Sequence, residues 1–291
     1  MARNRSPRPP SASDHVSAAF ARIRADRSHG ARSLAADALR TLSKLLDDWT
    51  HRPQTVLRSA ARRVARALEG AQPAMGPFLR WAEDWRRIAR TSARAGVLGM
   101  ARAWIRREKR RLRDETLRLL RTSRRRFPRM VREVTTLSRS QTVLLALSAL
   151  PRARRPARVS VLESLPGAEG RLFAQDLRRV GLSARVVPDR TGPTLVETAD
   201  LVIIGADAVF SDGSVAHKVG TRSLARAAAR LGVPVVVIAG RSKFTGRPPP
   251  RRRLPALFDR TPSRYISEFW TDGGVRFGGA PRRLRAHHPP L

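Results

Sequence analysis

The chain runs to 291 residues, with 59 Lys or Arg against 23 Asp or Glu, a formal net charge of +36, and no cysteine. That length supports one large or two small domains with a sizeable core, and the missing cysteine excludes disulfides, a thiolate nucleophile and Cys-based zinc sites. No stretch approaches the roughly 18 consecutive apolar residues of a membrane-spanning helix, and the basic opening segment 1–12 lacks the apolar centre of a secretory signal, so it reads as a disordered tail on a cytoplasmic protein.

From residue 13 to residue 127 the spacing predicts a strand-poor helical domain. Leu34, Ala38, Leu42, Leu45 and Leu46, then Val56, Ala60, Val64, Ala67 and Leu68, recur at helical intervals. His51-Arg52-Pro53, Gly70-Ala71-Gln72-Pro73 and Gly76-Pro77 punctuate them, giving a bundle of four or five helices. Trp49, Trp81, Trp85 and Trp104 stand at helical spacing among Leu and Ala and read as core; the competing reading is a set of base-stacking platforms.

From Val131 the rhythm turns to alternating strand and helix over 128–280. Strands are expected at 131–136, 159–162, 185–187, 201–204 and 235–238, with helices at 143–150, 170–180 and 219–231. Such alternation implies right-handed crossovers and a mostly parallel, Rossmann-like sheet, so the fold class is α/β with an N-terminal helical bundle. The segments 151–156 and 246–253 read as exposed basic connections, and 281–291 as a second tail.

The charge is unevenly placed. Residues 1–157 carry 37 Lys or Arg against 12 Asp or Glu, residues 158–246 carry 12 against 8, and the rest carry 10 against 3. Only Lys44, Lys109, Lys218 and Lys243 are lysine. GC-rich codon usage produces such a skew on solvated helix faces without any ligand. The functional reading is a nucleic-acid contact through Arg106-Arg107-Glu108-Lys109-Arg110-Arg111 and Arg124-Arg125-Arg126.

The ionisable residues of 201–244 cluster between apolar runs. Leu201-Val202-Ile203-Ile204 has the pattern of a strand covered on both faces, ended by Gly205. Asp207 then falls at the carboxyl edge of the sheet, where ligands bind in open α/β folds. Asp212-Gly213 marks a turn, and His217 and Lys218 stand at the start of the expected helix, an arrangement suited to a phosphate. The plainer alternative is a turn capped by Asp207 and a solvated Lys218.

Gly205-Ala206-Asp207, Asp212-Gly213, His217-Lys218 and Val219-Gly220-Thr221 resemble the signature of the superfamily holding the alpha, beta and delta subunits of translation initiation factor 2B, methylthioribose-1-phosphate isomerase and ribose-1,5-bisphosphate isomerase. Glu163-Ser164-Leu165-Pro166 with Glu169-Gly170 is similar to its ESRP…EG segment. Phe258-Asp259-Arg260-Thr261-Pro262 and Thr271-Asp272-Gly273-Gly274-Val275 are similar to its FDxTP and TExGV tail. Ser28-His29-Gly30-Ala31 and Gln72-Pro73-Ala74-Met75 resemble helix starts of its N-terminal domain. The likeness runs in order over residues 25–277.

The resemblance implies a ligand pocket for a phosphosugar or nucleotide, contacted by Gly30, Arg139, Ser140, Glu163, Gly205, His217 and Lys218, with no metal and no cofactor. The family's isomerases pair a cysteine, in a T-x-C-x-S-like segment, with the aspartate of GAD for proton transfer between C1 and C2 of the sugar. Thr136-Leu137-Ser138-Arg139-Ser140 puts Ser138 at the cysteine position, so the implied catalytic pair is Asp207 with Ser138, and a hydroxyl is a poor acid or base near neutrality. His217 also replaces an asparagine and Leu165 an arginine. A regulatory, non-catalytic binding protein is therefore expected. The alternatives are an aldose–ketose isomerase using Asp207 with Ser138 or His217, and an Arg-driven RNA or ribosome binder. The resemblance further implies a homodimer or heteromer formed through the C-terminal domain, with Val235–Ile238 and Tyr265–Trp270 as its apolar segments.

Overall fold

The computed structural model describes residues 12–26, 29–93, 95–248, 250 and 254–279. Of the expected tail at 1–12 all but Ala12, which opens the first helix, lies outside the described residues, as do the tail at 281–291, Ser28 of the helix-start segment and Arg251–Arg253 of the second basic connection. The chain divides into two compact units, the first comprising Met1–Asp26, Leu34–Pro73 and Phe78–Lys109, the second Arg27–Ser33, Ala74–Pro77 and Arg110–Leu291.

The first unit is helical, built from α1 (Ala12–Ala25), α2 (Ala31–Asp48), α3 (Gln54–Ala71), α4 (Gly76–Ala89) and the opening turns of α5 (Gly96–Arg126). The apolar stripes face inward as expected: Leu34, Leu42, Val64 and Leu68 are fully buried. So are the four tryptophans. Trp104 meets Trp81 and Trp85 edge-on, with centroids 5.5 and 5.7 Å apart. The Trp81 indole N–H donates to the buried Glu108 carboxylate at 3.0 Å, and Trp104 donates to Asp84 at 3.0 Å, so both buried donors are satisfied.

The second unit is α/β. Its strands β1 (Glu133–Leu137), β2 (Arg158–Leu162), β3 (Ala184–Val187) and β4 (Leu201–Ile204) alternate with α6 (Gln141–Ser148), α7 (Glu169–Arg179) and the single turn α8 (Gly192–Leu195). A hairpin, β5 (Ala208–Val209) and β6 (Val215–Lys218), precedes α9 (Thr221–Leu231) and β7 (Val235–Ile238); β8 (Phe258–Thr261), β9 (Glu268–Thr271) and β10 (Gly274–Phe277) complete the unit. The main sheet has the order β10-β9-β7-β4-β1-β2-β3 and is parallel except for β10. One apolar cluster gathers Val134, Phe173, Leu177 and Ile203; another gathers Leu137, Val202, Leu224 and Val237. Every residue of β4 and β7 is buried, which is why these strands read as unbroken apolar runs.

Four expectations change. The stretch read as a loop before α9 contains β5 and β6, which join β8 in a separate three-stranded sheet, so His217 and Lys218 sit on a strand. Strand pairing buries these two polar residues, which the local pattern placed at a helix start facing a ligand. The helix begins at Thr221 because Gly220 holds φ +98°, a left-handed conformation suited to glycine. Residues 151–156 are not a freely exposed connection: Arg154 donates to Arg124 O and Phe127 O, and Arg155 to Val180 O, Gly181 O and Ser148 O. Val235–Ile238, Ile266, Phe269 and Trp270, expected as apolar segments for assembly, are largely spent on the core of their own unit, with Tyr265 half-buried and Val236 and Trp270 lining a pocket at its edge.

Candidate functional site

Strand order places the site. β2 and β3 lie on one side of β1 while β4 and β7 lie on the other, so the chain reverses direction between β1 and β4, and ligands of open α/β sheets bind beyond the carboxyl ends at such a reversal. Ser138-Arg139-Ser140 follow β1 and Gly205-Ala206-Asp207 follow β4. Between them, all within the second unit, lies a cavity of about 260 Å³ lined by Gly30, Arg32, Ser138–Thr142, Asp207, His217 and Lys243, among others.

The first turns of α2 and α6 contribute to the wall. Ser140 caps α6, its hydroxyl accepting the Val143 N–H at 3.3 Å. The N-terminal ends of both helices and the cations Arg32, Arg139 and Lys243 meet one carboxylate, Asp207, among the described lining residues. The arrangement favours an anion of phosphate size. Arg139 is steadied by Asp176, 2.7 Å from its Nε. Asp207 is fixed by its own backbone, N–H to Ala216 O at 2.9 Å and C=O from Gly76 N–H at 2.7 Å, and its Oδ1 lies 3.4 Å from Ala31 N. Gly205 is required by crowding: a Cβ there would sit 2.5 Å from Ser140 Oγ and 3.4 Å from His217 Nε2.

The Ser138 hydroxyl donates to Glu169 Oε1 at 3.1 Å, and its N–H donates to Ser164 Oγ at 2.7 Å, with Ser138 itself at φ +61°. The same Glu169 oxygen holds the Lys218 ammonium at 2.7 Å, both side chains being buried. Lys218 is thus an internal counter-ion and does not line the cavity, contrary to its expected role as a phosphate contact. The helix start behind it is occupied too. Asp259 Oδ2 accepts the N–H groups of Gly220 and Arg222 at 3.0 and 3.1 Å, and burial pushes this carboxyl up to about 6. Glu163 also stands apart, with its Oε2 3.1 Å from Arg171, which the first turn of α7 brings to it; the two line a separate groove.

Two cations of the wall escaped the sequence reading. Lys243 is 6% exposed, donates to Ala206 O at 2.7 Å, and is held below the ordinary lysine range by burial, against the opposing pull of Asp207 and Glu115. Glu115 accepts from Ser242 N–H and Oγ–H at 2.7 and 2.8 Å; its carboxylate fills the space where a Cβ of Gly240 would lie. Burial likewise lowers Arg32, with Glu115 opposing. The available signal was composition: two of only four lysines stand in this region, 7% and 6% exposed, in a chain that otherwise uses arginine.

His217 Nδ1 lies 3.0 Å from Thr221 Oγ1, whose hydroxyl donates to Lys218 O. Thr221 must then accept from the ring, so Nδ1 carries the proton and Nε2 keeps its lone pair. Burial pushes His217 down to about 4 from 6.5, with Lys243 and Lys218 reinforcing the shift and Asp207 opposing it. The folded pKa is the lower one, so between about pH 4 and 6.5 the unfolded chain binds more protons. The stability His217 confers, on the order of 3 kcal/mol, is present above pH 6.5 and lost as pH falls toward 4. Urea unfolding at three pH values across this window is expected to show that loss, and His217→Asn to flatten it.

Residues 27–255 match the Initiation factor 2 subunit family. A methylthioribose-1-phosphate isomerase of Gemmatimonas aurantiaca is 37% identical over 135 residues, 38% of this chain and 39% of that protein. A ribose 1,5-bisphosphate isomerase of Haloterrigena turkmenica is 30% identical over 222 residues, 75% of this chain and 60% of that protein. These matches span less than two thirds of either relative. Among solved structures, the Pyrococcus horikoshii OT3 translation initiation factor eIF-2B superposes with a TM-score of 0.77 at 24% identity, covering 91% of this chain and 97% of that one, which shows a shared fold. The ordered motifs, the helix-rich N-terminal region before a mostly parallel seven-stranded sheet, and a family match over most of its length establish that this chain belongs to the initiation factor 2 subunit family.

Proposed function

We propose that this protein is an initiation factor 2B-like regulatory subunit that binds a phosphosugar or nucleotide in the cavity between β1 and β4 and does not turn it over. One observation carries the reading. In the cavity that Asp207 lines, the position where the family's isomerases are expected to carry the second titrating group holds a Ser138 hydroxyl already donating to Glu169. Binding draws on what remains: Lys243, Arg32, Arg139 and the helix starts for the phosphate, and Asp207 as acceptor for a sugar hydroxyl. A buried ammonium below its ordinary range gains a partner when a phosphate enters, so ligand binding and protonation of Lys243 are coupled.

The test has two arms. Thermal unfolding with a panel of phosphosugars and nucleotides is expected to find a stabilising ligand, which at about 100 times its dissociation constant adds roughly 2.7 kcal/mol. The same protein is expected to show no measurable aldose–ketose conversion of methylthioribose 1-phosphate or ribose 1,5-bisphosphate, with Ser138→Cys restoring a trace at most. Robust turnover abolished by Asp207→Asn would establish the isomerase instead. The neutral His217, whose Nε2 retains its lone pair in the same cavity, is what favours that second reading. A homodimer or heteromer remains proposed on family membership, checked by sedimentation at micromolar concentration.

A further inference from the structure

Within the second unit, α5 turns an almost purely cationic face to solvent. Over 110–125, roughly 23 Å of helix, the exposed side chains include Arg110, Arg111, Arg113, Arg118, Arg121, Arg124 and Arg125, with Asp114 as the sole exposed acid. Glu115 is 4% exposed and committed to Ser242, so it cannot neutralise this face. Among the described residues, Arg110, Arg113, Arg118, Arg121 and Arg125 have no acidic partner.

This placement works against the helix. Arg110 and Arg113, Arg118 and Arg121, and Arg121 with Arg124 and Arg125 are like-charged neighbours at i,i+3 or i,i+4, each destabilising. The helix dipole compensates only in the last turn. Codon preference accounts for arginine in place of lysine but not for a face almost empty of acids, since either cation carries the same charge. A lipid surface is a poor fit, because Leu112 and Leu119 are buried and Leu117 is the single large apolar side chain exposed over 110–125, too little to anchor an interfacial helix. At its end the face continues onto Arg154, which donates to Arg124 O, and the exposed Arg152.

We infer that α5 over Arg110–Arg125, extended by Arg152, is a docking face for the phosphate backbone of structured RNA. Planar guanidinium groups pair with phosphates in a bidentate manner, and each neutralised phosphate releases counterions and steepens the salt dependence of binding. None of these arginines lines the ligand cavity, so this inference and the proposed ligand fail separately.

The experiment is fluorescence anisotropy of the full chain with a labelled RNA duplex of about 20 base pairs, titrated with salt from about 50 mM. Wild type is expected to bind at micromolar concentration or below. R113Q/R118Q/R121Q is expected to lose at least tenfold in affinity near 100 mM salt, with a salt slope shallower by about 2.7. R113K/R118K/R121K should keep most of the slope, and R52Q/R62Q/R66Q, which removes equal charge from exposed positions of the first unit, should change little. Circular dichroism and the thermal response to the proposed ligands report whether each variant is folded. The inference is overturned if wild type does not bind, if both glutamine triples lose equally, or if polyglutamate or anionic vesicles displace the duplex at matched charge concentration.

Discussion

Lys218→Ala is expected to lower the unfolding free energy by about 3–5 kcal/mol, because it leaves the Glu169 carboxylate buried without its counter-ion. Glu169 Oε2 already lacks a hydrogen-bond partner, so little else can absorb the stranded charge. Ser138, bonded to the other oxygen, would lose its anchor as well, and the turn after β1 would loosen with it. Neutralising both sides in Lys218→Met/Glu169→Gln should recover much of the loss, since a neutral amide keeps an acceptor for Ser138 at far lower desolvation cost. Urea unfolding at neutral pH measures all three proteins. An unchanged midpoint in Lys218→Ala together with weakened phosphosugar binding would return Lys218 to the ligand.

Lys243→Met should behave in the opposite way. The ammonium donates to Ala206 O at the cavity wall and is held below its ordinary range by burial, so its charged form costs the folded state something at neutral pH. An apolar side chain of similar length removes that cost, and the melting temperature is expected to stay level or rise. Ligand binding should suffer. Loss of one charge-assisted hydrogen bond, about 1.5–3 kcal/mol, corresponds to a roughly 10- to 150-fold weaker dissociation constant. Calorimetric titration with whichever phosphosugar or nucleotide stabilises wild type checks it. Undiminished affinity in Lys243→Met would remove this lysine from the phosphate contact and leave Arg32 and Arg139 to carry it. The two substitutions together separate a lysine that holds the fold from one held ready for a ligand.

Periodicity alone determined a good deal of this protein. The helical stripes of the first unit, the inward tryptophans and the buried runs Leu201–Ile204 and Val235–Ile238 were all legible, because local apolar spacing and burial share one cause. The position of Asp207 beyond the end of β4 was legible for the same reason. Pairing between distant segments was not. β5 has two residues and β6 reads Val-Ala-His-Lys, and only hydrogen bonding to β5 on one side and to Phe258–Thr261 on the other makes a strand of it. That pairing buries Lys218 on Glu169 and brings Asp259 onto the start of α9, two outcomes that no local pattern contains. Likewise, Glu115 and Gly240 are 125 positions apart, yet the carboxylate of one fills the space left by the missing side chain of the other. Spacing along the chain determines which face of an element is apolar; which polar groups meet is decided by packing, where each buried charge must find its partner.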